Sequence, residues 1–231
     1  MYLGFSLCAA LLIGALVFTA PVISSTITFF DKIVIASVFI VCCLVGISFT
    51  ISPNWVRRYR SQKTIQEKNQ TNKENRLFRG HHPDCPVFQN HTLQWRNKTW
   101  CAGCLGLLIG LCASILFMIL YLFTNFTHPK MIAFLLIFLG LFICMVVFLE
   151  VISRNNPPLV HVFTNSLVIP SFFFITVSVV DLTGKTVYGL FTILLCFLWL
   201  DTRIQLSGWR HRTVCRQCPE SCKMYVVNAE R

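Results

Sequence analysis

The chain has 231 residues, of which 55% are hydrophobic, only 13% are charged and 21 are Phe. A soluble domain carries about a quarter charged residues, so this composition excludes an ordinary soluble protein and predicts an integral membrane protein. The net charge of +11 does not indicate nucleic-acid binding, because most cations lie beside apolar runs, where membrane insertion explains them.

Long uncharged runs match helices that span a bilayer with about 20 residues. Six such runs occur, near residues 4–25, 33–52, 104–126, 131–151, 159–180 and 186–204. The first run lacks a basic leader and exceeds the apolar core of about 7–15 residues of a secretory signal, so we expect a transmembrane helix there. The sequence therefore predicts an all-α integral membrane protein, a bundle of about six transmembrane helices with cytoplasmic Cys/His metal-binding loops.

The placement of Lys and Arg predicts the orientation, because cytoplasmic loops retain cations during insertion. Residues 53–100 carry 10 of them, Arg154 adds one and residues 201–231 add 6, whereas the opposite connections hold only Lys32, Lys130 and Lys185. We therefore expect a multi-pass protein of the cell membrane with both termini in the cytoplasm.

These features divide the chain into four sections, namely helices one and two in 1–53, a basic loop in 54–103, helices three to six in 104–206 and a tail in 207–231. The loop begins with aromatic and basic residues around Trp55 and Arg57, a composition suited to the headgroup region. Its expected partners are the lipid bilayer and anionic headgroups. A protein partner is open, and nucleic acid is not expected.

The basic loop contains the first cluster of metal-ligand residue types. His82-x2-Cys85 and Cys101-x2-Cys104 have the spacing of a tetrahedral zinc site in which His replaces one Cys. His81 and His91 are alternative ligands. Gly103 lies within the second pair and Gly106 follows it, and both are expected to let the backbone bend where helix three begins. Free thiols are the competing interpretation, and a cytoplasmic disulfide is disfavoured.

The tail contains a second cluster with four ligand-type residues within twelve positions. They are His211, Cys215, Cys218 and Cys222. Zinc fits this set, and an iron–sulfur cluster is the alternative because three closely spaced thiolates also suit iron. The spacing leaves open whether the two clusters form one site or two. In either case a structural clasp is the expected role, because bound zinc can fold loops that have little core of their own.

Polar residues inside the apolar runs gather at the same end as the clusters. They are Glu150, His161, Thr164, Asn165, Asp201 and Arg203, with Arg154 just beyond helix four. Interhelical hydrogen bonding and ion pairing near the boundary explain them, and a sharper alternative is a small polar cavity lined by His161, Asn165, Asp201 and Arg203. The cysteines inside the helices are predicted to serve packing, namely Cys8, Cys42, Cys43, Cys112, Cys144 and Cys196.

The segment from His81-His-Pro-Asp-Cys85 to Trp100-Cys101-Ala-Gly-Cys104-Leu-Gly resembles the signature of the domain of unknown function 2085 family. The match covers about 30 of the 231 residues and is closer to the archaeal His-His-Pro-x-Cys style. Leu105 stands where Thr is usual, and His81 stands where the bacterial form tends to have a Cys-His pair. The resemblance implies a small membrane protein with this site, and it implies no reaction.

Three classes of function remain, and no catalytic residue is assigned. The preferred class is a non-enzymatic membrane protein whose metal sites organise the helices or bind a partner. A thiol–disulfide or iron–sulfur redox protein is the second class, since Cys101-x2-Cys104 is also a redox spacing. A metal-ion transporter or sensor is the third, and it would need ligands deep in several helices.

Overall fold

A computed structural model describes residues 2–19, 27–51, 92–95, 98–124, 129–152 and 157–216. These residues contain six helices and one two-stranded antiparallel hairpin. The elements are α1 Tyr2–Thr19, α2 Phe29–Ile51, β1 Thr92–Trp95, β2 Lys98–Cys101, α3 Ala102–Phe123, α4 Lys130–Ile152, α5 Pro158–Thr183 and α6 Thr186–Arg216. Helices α2 to α6 are long and apolar enough to cross a membrane.

This architecture supports the prediction of an all-α polytopic membrane protein. Helices suit these sequences because a lipid environment offers no partner to a backbone N–H or C=O, and a helix satisfies both internally. Helix α2, with 23 residues, is about 35 Å long and matches a hydrocarbon core of about 30 Å. The first predicted span, near 4–25, contains α1, which covers residues 2–19. The total of six spans stays a prediction.

Helix α5 lies at the centre of the bundle, with two-thirds of its spanning window buried. Helices α3, α4 and α6 pack against it, α2 packs on α3 and α6, and α1 packs mainly on α6. Its buried residues include small hydroxylated ones, Ser171, Thr176, Ser178 and Thr183. Small side chains let helix backbones approach closely, and the resulting van der Waals contacts stabilise helix packing within a membrane.

Helices α3 and α5 approach each other closely along two glycines four residues apart. A Cβ on Gly106 would lie 2.3 Å from the Val162 carbonyl oxygen, and one on Gly110 would lie 2.5 Å from the Ser166 carbonyl oxygen. Only glycine allows this approach. Pro170 also lies inside α5, and it lacks the N–H that would otherwise bond to Ser166 O in the helix. We name Gly106, Gly110 and the facing turns of α5 the glycine seam.

The end of the bundle where α3 begins is called here the cysteine end, and the other end is held by polar contacts of its own. Thr28 and Asp31 form a capping box at the start of α2, with backbone-to-side-chain bonds of 3.2 Å in both directions. Asp31 Oδ1 also accepts a 2.6 Å bond from Thr186 Oγ1. Tyr121 Oη donates to Asp181 Oδ1 at 2.9 Å, and Lys32 Nζ lies 4.9 Å from the centre of the Tyr121 ring. These contacts fix α2, α3, α5 and α6 relative to one another.

The structure corrects several details of the sequence predictions. The loop 54–103 contains the hairpin, which no sequence pattern indicated, and α3 begins at Ala102. Gly103 and Gly106 do not bend the chain, because both lie within the regular helix α3. Helix α6 runs to Arg216, so the first ten residues of the predicted tail 207–231 are helical.

The prediction that the helix cysteines serve packing holds for some of them only. Cys43, Cys144 and Cys196 are buried in the core, and Cys42 is half-buried. Cys8 and Cys112 are exposed on the outer surface of the helices, so the packing prediction is wrong for these two.

Candidate functional site

Two cysteines lie where the hairpin joins the start of α3. Thr92 pairs with Cys101 and Trp95 pairs with Lys98, so β2 runs directly into the helix. Cys101 is the last residue of β2 and the N-cap of α3, and Cys104 lies in the first helical turn. Cys101 is buried, Cys104 is half-buried, and neither is in a disulfide. The N-terminus of a helix carries partial positive charge, which favours thiolates at these positions.

Near these cysteines, four polar residues from three helices contact one another and are here named the polar network: Glu150, His161, Asn165 and Arg203. The Glu150 carboxylate of α4 contacts His161 Nδ1 of α5. Asn165 donates to the His161 carbonyl oxygen, and Arg203 of α6 donates to Asn165 Oδ1. Glu150, His161 and Asn165 are 6%, 8% and 3% exposed, so burial leaves them dependent on one another for hydrogen bonds.

The cysteine turn lies next to the polar network. A Cβ on Gly103 would lie 3.9 Å from Asn165 Nδ2 and 4.0 Å from Cys101 Sγ. Arg203 is also close enough to interact electrostatically with both Glu150 and Cys104. Arg203 therefore lies within electrostatic range of both a carboxylate and a cysteine thiol.

The position of the network along the helices places it at one boundary of the bundle. Glu150 is two residues from the end of α4 and His161 is three residues after the start of α5. Arg203 lies about 26 Å along α6 from Thr186, near the far side of a hydrocarbon core of about 30 Å. Beyond it, Arg210 donates to the Val151 carbonyl oxygen and so satisfies a free group in the last turn of α4. A charged group at this depth can reach the interface.

The interhelical interpretation of these polar residues is confirmed, whereas the predicted polar cavity is wrong. His161, Asn165 and Arg203 are linked by polar contacts, but the fourth predicted lining residue does not join them. Asp201 is not with them, because it is exposed and lies beside an apolar groove between α2 and α6. Helical geometry explains the separation, since positions 201 and 203 differ by about 200° around the helix axis. Arg154, predicted beside Glu150, lies outside the described residues.

The described residues contain only part of each predicted metal site. Cys101 and Cys104 are brought together at the start of α3. His211 and Cys215 lie on the last turns of α6, one helical turn apart along the chain. The remaining predicted ligands, His81, His82, Cys85, His91, Cys218 and Cys222, lie outside the described residues. Within the part that is described, no group of three or more His, Cys, Asp or Glu residues could hold a metal ion. Both four-ligand sites therefore stay predictions.

Two structural features of this end were missed by the sequence reasoning. The glycine seam had a readable signal, Gly106-x3-Gly110 in an apolar helix, which is typical of closely packed membrane helices. The pairing of Glu150 with His161 had a weaker signal in the sequence. Both residues flank the connection between α4 and α5, and a short connection returns the chain to the same depth.

Comparison with known proteins adds no relative. A scan against protein-family models, a search of curated proteins and a search of solved structures each returned no match. The resemblance to the domain of unknown function 2085 family stays a prediction.

Proposed function

We propose that this chain is a non-enzymatic polytopic membrane protein in which a zinc clasp fastens the loop before α3 to the helix bundle and presents a surface for a partner. The observation that carries the proposal is the position of Cys101 and Cys104. They lie at the start of α3, next to the polar network that joins α4, α5 and α6. A cross-link at this point would transmit its restraint to four helices.

The donors present fit zinc chemistry. Zinc prefers thiolate and imidazole ligands, and the helix N-terminus favours thiolates at Cys101 and Cys104. Arg203 adds a positive charge within electrostatic range of Cys104. In this proposal His82 and Cys85 complete the tetrahedral set, with His81 or His91 as the alternative histidine. Zinc would supply a cross-link of fixed geometry and no reaction, since the proposal assigns no open coordination position. His211, Cys215, Cys218 and Cys222 form the second clasp, for which an iron–sulfur cluster is the alternative.

A thiol–disulfide redox role is the second candidate, and one observation favours it. The two thiols with redox spacing lie at a helix N-terminus, and the Arg203 guanidinium is within electrostatic range of Cys104. These are the surroundings that activate a cysteine as a nucleophile. The burial of Cys101, at 4% exposure, disfavours this role because an exchanging thiol must reach a second molecule.

Elemental analysis of the detergent-purified chain separates these candidates. We expect close to two zinc ions per chain, falling by one in Cys101→Ser and by one in Cys218→Ser. Cys112→Ser is the matched control, because Cys112 lies on the same helix α3 but is exposed away from the site. Its zinc content should equal that of the wild type. Iron with visible absorbance that is lost in Cys218→Ser would assign the tail to the iron–sulfur alternative.

Two results would overturn the clasp. The first is metal-free protein with a reversible disulfide between Cys101 and Cys104, which would establish the redox candidate instead. The second is zinc that stays unchanged in Cys101→Ser. The proposed cytoplasmic location has a separate test with engineered cysteines in 60–75. A thiol reagent that cannot cross membranes should leave them unlabelled in intact cells, and labelling from outside would invert the orientation.

A further inference from the structure

An apolar groove of about 290 Å³ runs along the outside of the bundle at the cysteine end. Its walls come from α2, α3, α5 and α6. Along α2 it extends from Phe39 to Phe49, and along α6 from Ile193 to Ile204. Several rim residues are exposed, including Val45 at 49% and Phe197 at 42%, so the groove is open to the surroundings of the bundle.

The dimensions of the groove match a single leaflet of a bilayer. Ten residues of α2 correspond to about 15 Å, which is half of a hydrocarbon core of about 30 Å. The groove begins near the middle of α2 and ends close to its last residue, Ile51. It therefore occupies the leaflet on the cysteine side, where the extended apolar molecules available to fill it are lipid acyl chains.

One charged residue lines this otherwise apolar groove. Asp201 lies at its cysteine end, is exposed, and makes no ion pair within the part of the chain that the structure describes. It is about 22 Å along α6 from Thr186, several ångströms inside the hydrocarbon boundary. A carboxylate at such a depth is costly unless a cation or hydrogen-bond donor meets it. The groove thus combines a slot for one acyl chain with an anion just below the level of the headgroups.

We propose that this groove binds one aminophospholipid, with an acyl chain in the slot and the primary ammonium of the headgroup on Asp201. Charge complementarity selects this lipid, because an ammonium supplies both a positive charge and hydrogen-bond donors. A lipid with an anionic glycerol headgroup would bring its phosphate to the carboxylate without a compensating cation. The site is independent of the zinc clasp, since none of its lining residues is a ligand of either metal site.

Native mass spectrometry of the full chain, extracted from nanodiscs of defined composition, tests the proposal. Discs of equal parts phosphatidylethanolamine and phosphatidylglycerol should leave one phosphatidylethanolamine bound per chain. Asp201→Asn should lower that retention about five- to tenfold, the loss expected for one charge-assisted pair, without raising the affinity for phosphatidylglycerol. Asp31→Asn is the matched control at the opposite end of the bundle, and its retention should equal that of the wild type.

A second pair of variants tests the slot. Val45→Trp adds bulk at the rim, where a side chain that is half exposed has room to turn over the groove. It should abolish retention of both lipids. Leu44→Trp places the same bulk on the adjacent residue of α2, which is 53% exposed and does not line the groove, and should have no effect. Unchanged elution in gel filtration shows that each variant is folded.

Three results would overturn the proposal. Equal retention of phosphatidylethanolamine and phosphatidylglycerol by the wild type would show that the groove does not distinguish between the two headgroups. Retention in Asp201→Asn equal to that of the wild type would remove the role of the carboxylate. A dimer that dissociates in Val45→Trp would show that a second copy of the chain covers the groove.

Discussion

A single methyl group at Gly110 tests whether the glycine seam holds the bundle together. In Gly110→Ala the new Cβ would lie 2.5 Å from the Ser166 carbonyl oxygen and 3.1 Å from its carbon. Both obstructing atoms belong to the backbone of α5, so no side chain can rotate away. Ordinary contact begins at 3.4 Å, and α3 must therefore move away from α5 by about 0.9 Å at this point.

The energetic consequence is a loss of packing along the whole seam. A gap of 0.5–1 Å already forfeits about a quarter to a half of the dispersion energy of each contact. Overpacking of this kind costs about 1–3 kcal/mol. The intrinsic gain of about 1 kcal/mol for Ala over Gly in a helix mostly cancels, because a spanning helix stays helical when the bundle separates. We therefore expect the free energy of unfolding to fall by about 1–3 kcal/mol.

Unfolding in mixed micelles by increasing sodium dodecyl sulfate, followed by near-ultraviolet circular dichroism, measures this loss. Gly208→Ala is the matched control, because a Cβ at that helix position meets nothing within 4 Å, and its midpoint should stay within error of the wild type. Gly106→Ala should lose at least as much as Gly110→Ala, since its Cβ would lie 2.3 Å from the Val162 carbonyl oxygen. A wild-type midpoint for Gly110→Ala, or an equal loss in Gly208→Ala, would refute the steric reasoning.

The polar contacts at the two ends of the bundle give two further predictions in the same assay. Glu150→Ala removes the carboxylate that contacts His161 and interacts with Arg203, and removing one partner of a buried pair should cost about 3–5 kcal/mol. A loss smaller than that in Tyr121→Phe would contradict the expectation that the polar network stabilises the bundle more than the Tyr121–Asp181 hydrogen bond does. Tyr121→Phe deletes only the 2.9 Å bond to Asp181 and should cost about 1 kcal/mol. No loss in this variant would show that water replaces the bond.

Composition alone predicts a membrane protein, and the positions of the apolar runs predict where most of the helices lie. The apolar runs near 104–126 and 131–151 correspond to α3 at Ala102–Phe123 and α4 at Lys130–Ile152. The agreement arises because a charge inside the bilayer is so costly that it marks the ends of each helix, as Lys130 and Glu150 do. The same rule fails at α6, which continues past the boundary to Arg216, because a helix does not have to stop where the lipid stops.

The side-chain arrangement at the cysteine end was only partly predictable. Sequence placed Glu150, His161, Asn165 and Arg203 at one depth, but depth does not tell which side of a helix faces its neighbour. Asp201 shows the limit, since it shares that depth and yet points to the groove. The hairpin was also beyond prediction, because a strand of four residues such as Lys98-Thr-Trp-Cys101 gives too short a pattern to distinguish from a loop.

The central position of α5 could have been inferred from its composition, by the same reasoning that found the spans. It is less apolar than α2, α3 and α4, and its polar residues are spread over its whole length, from His161 through Ser171 to Thr183. A helix with polar groups at every depth cannot face lipid, so it must be surrounded by other helices. Helix α6 is slightly lower in mean hydropathy than α5 but less buried, because its polar residues cluster near the boundary, where water and headgroups accept them. The distribution of polar residues along a span, rather than their number, therefore determines which helix becomes the core.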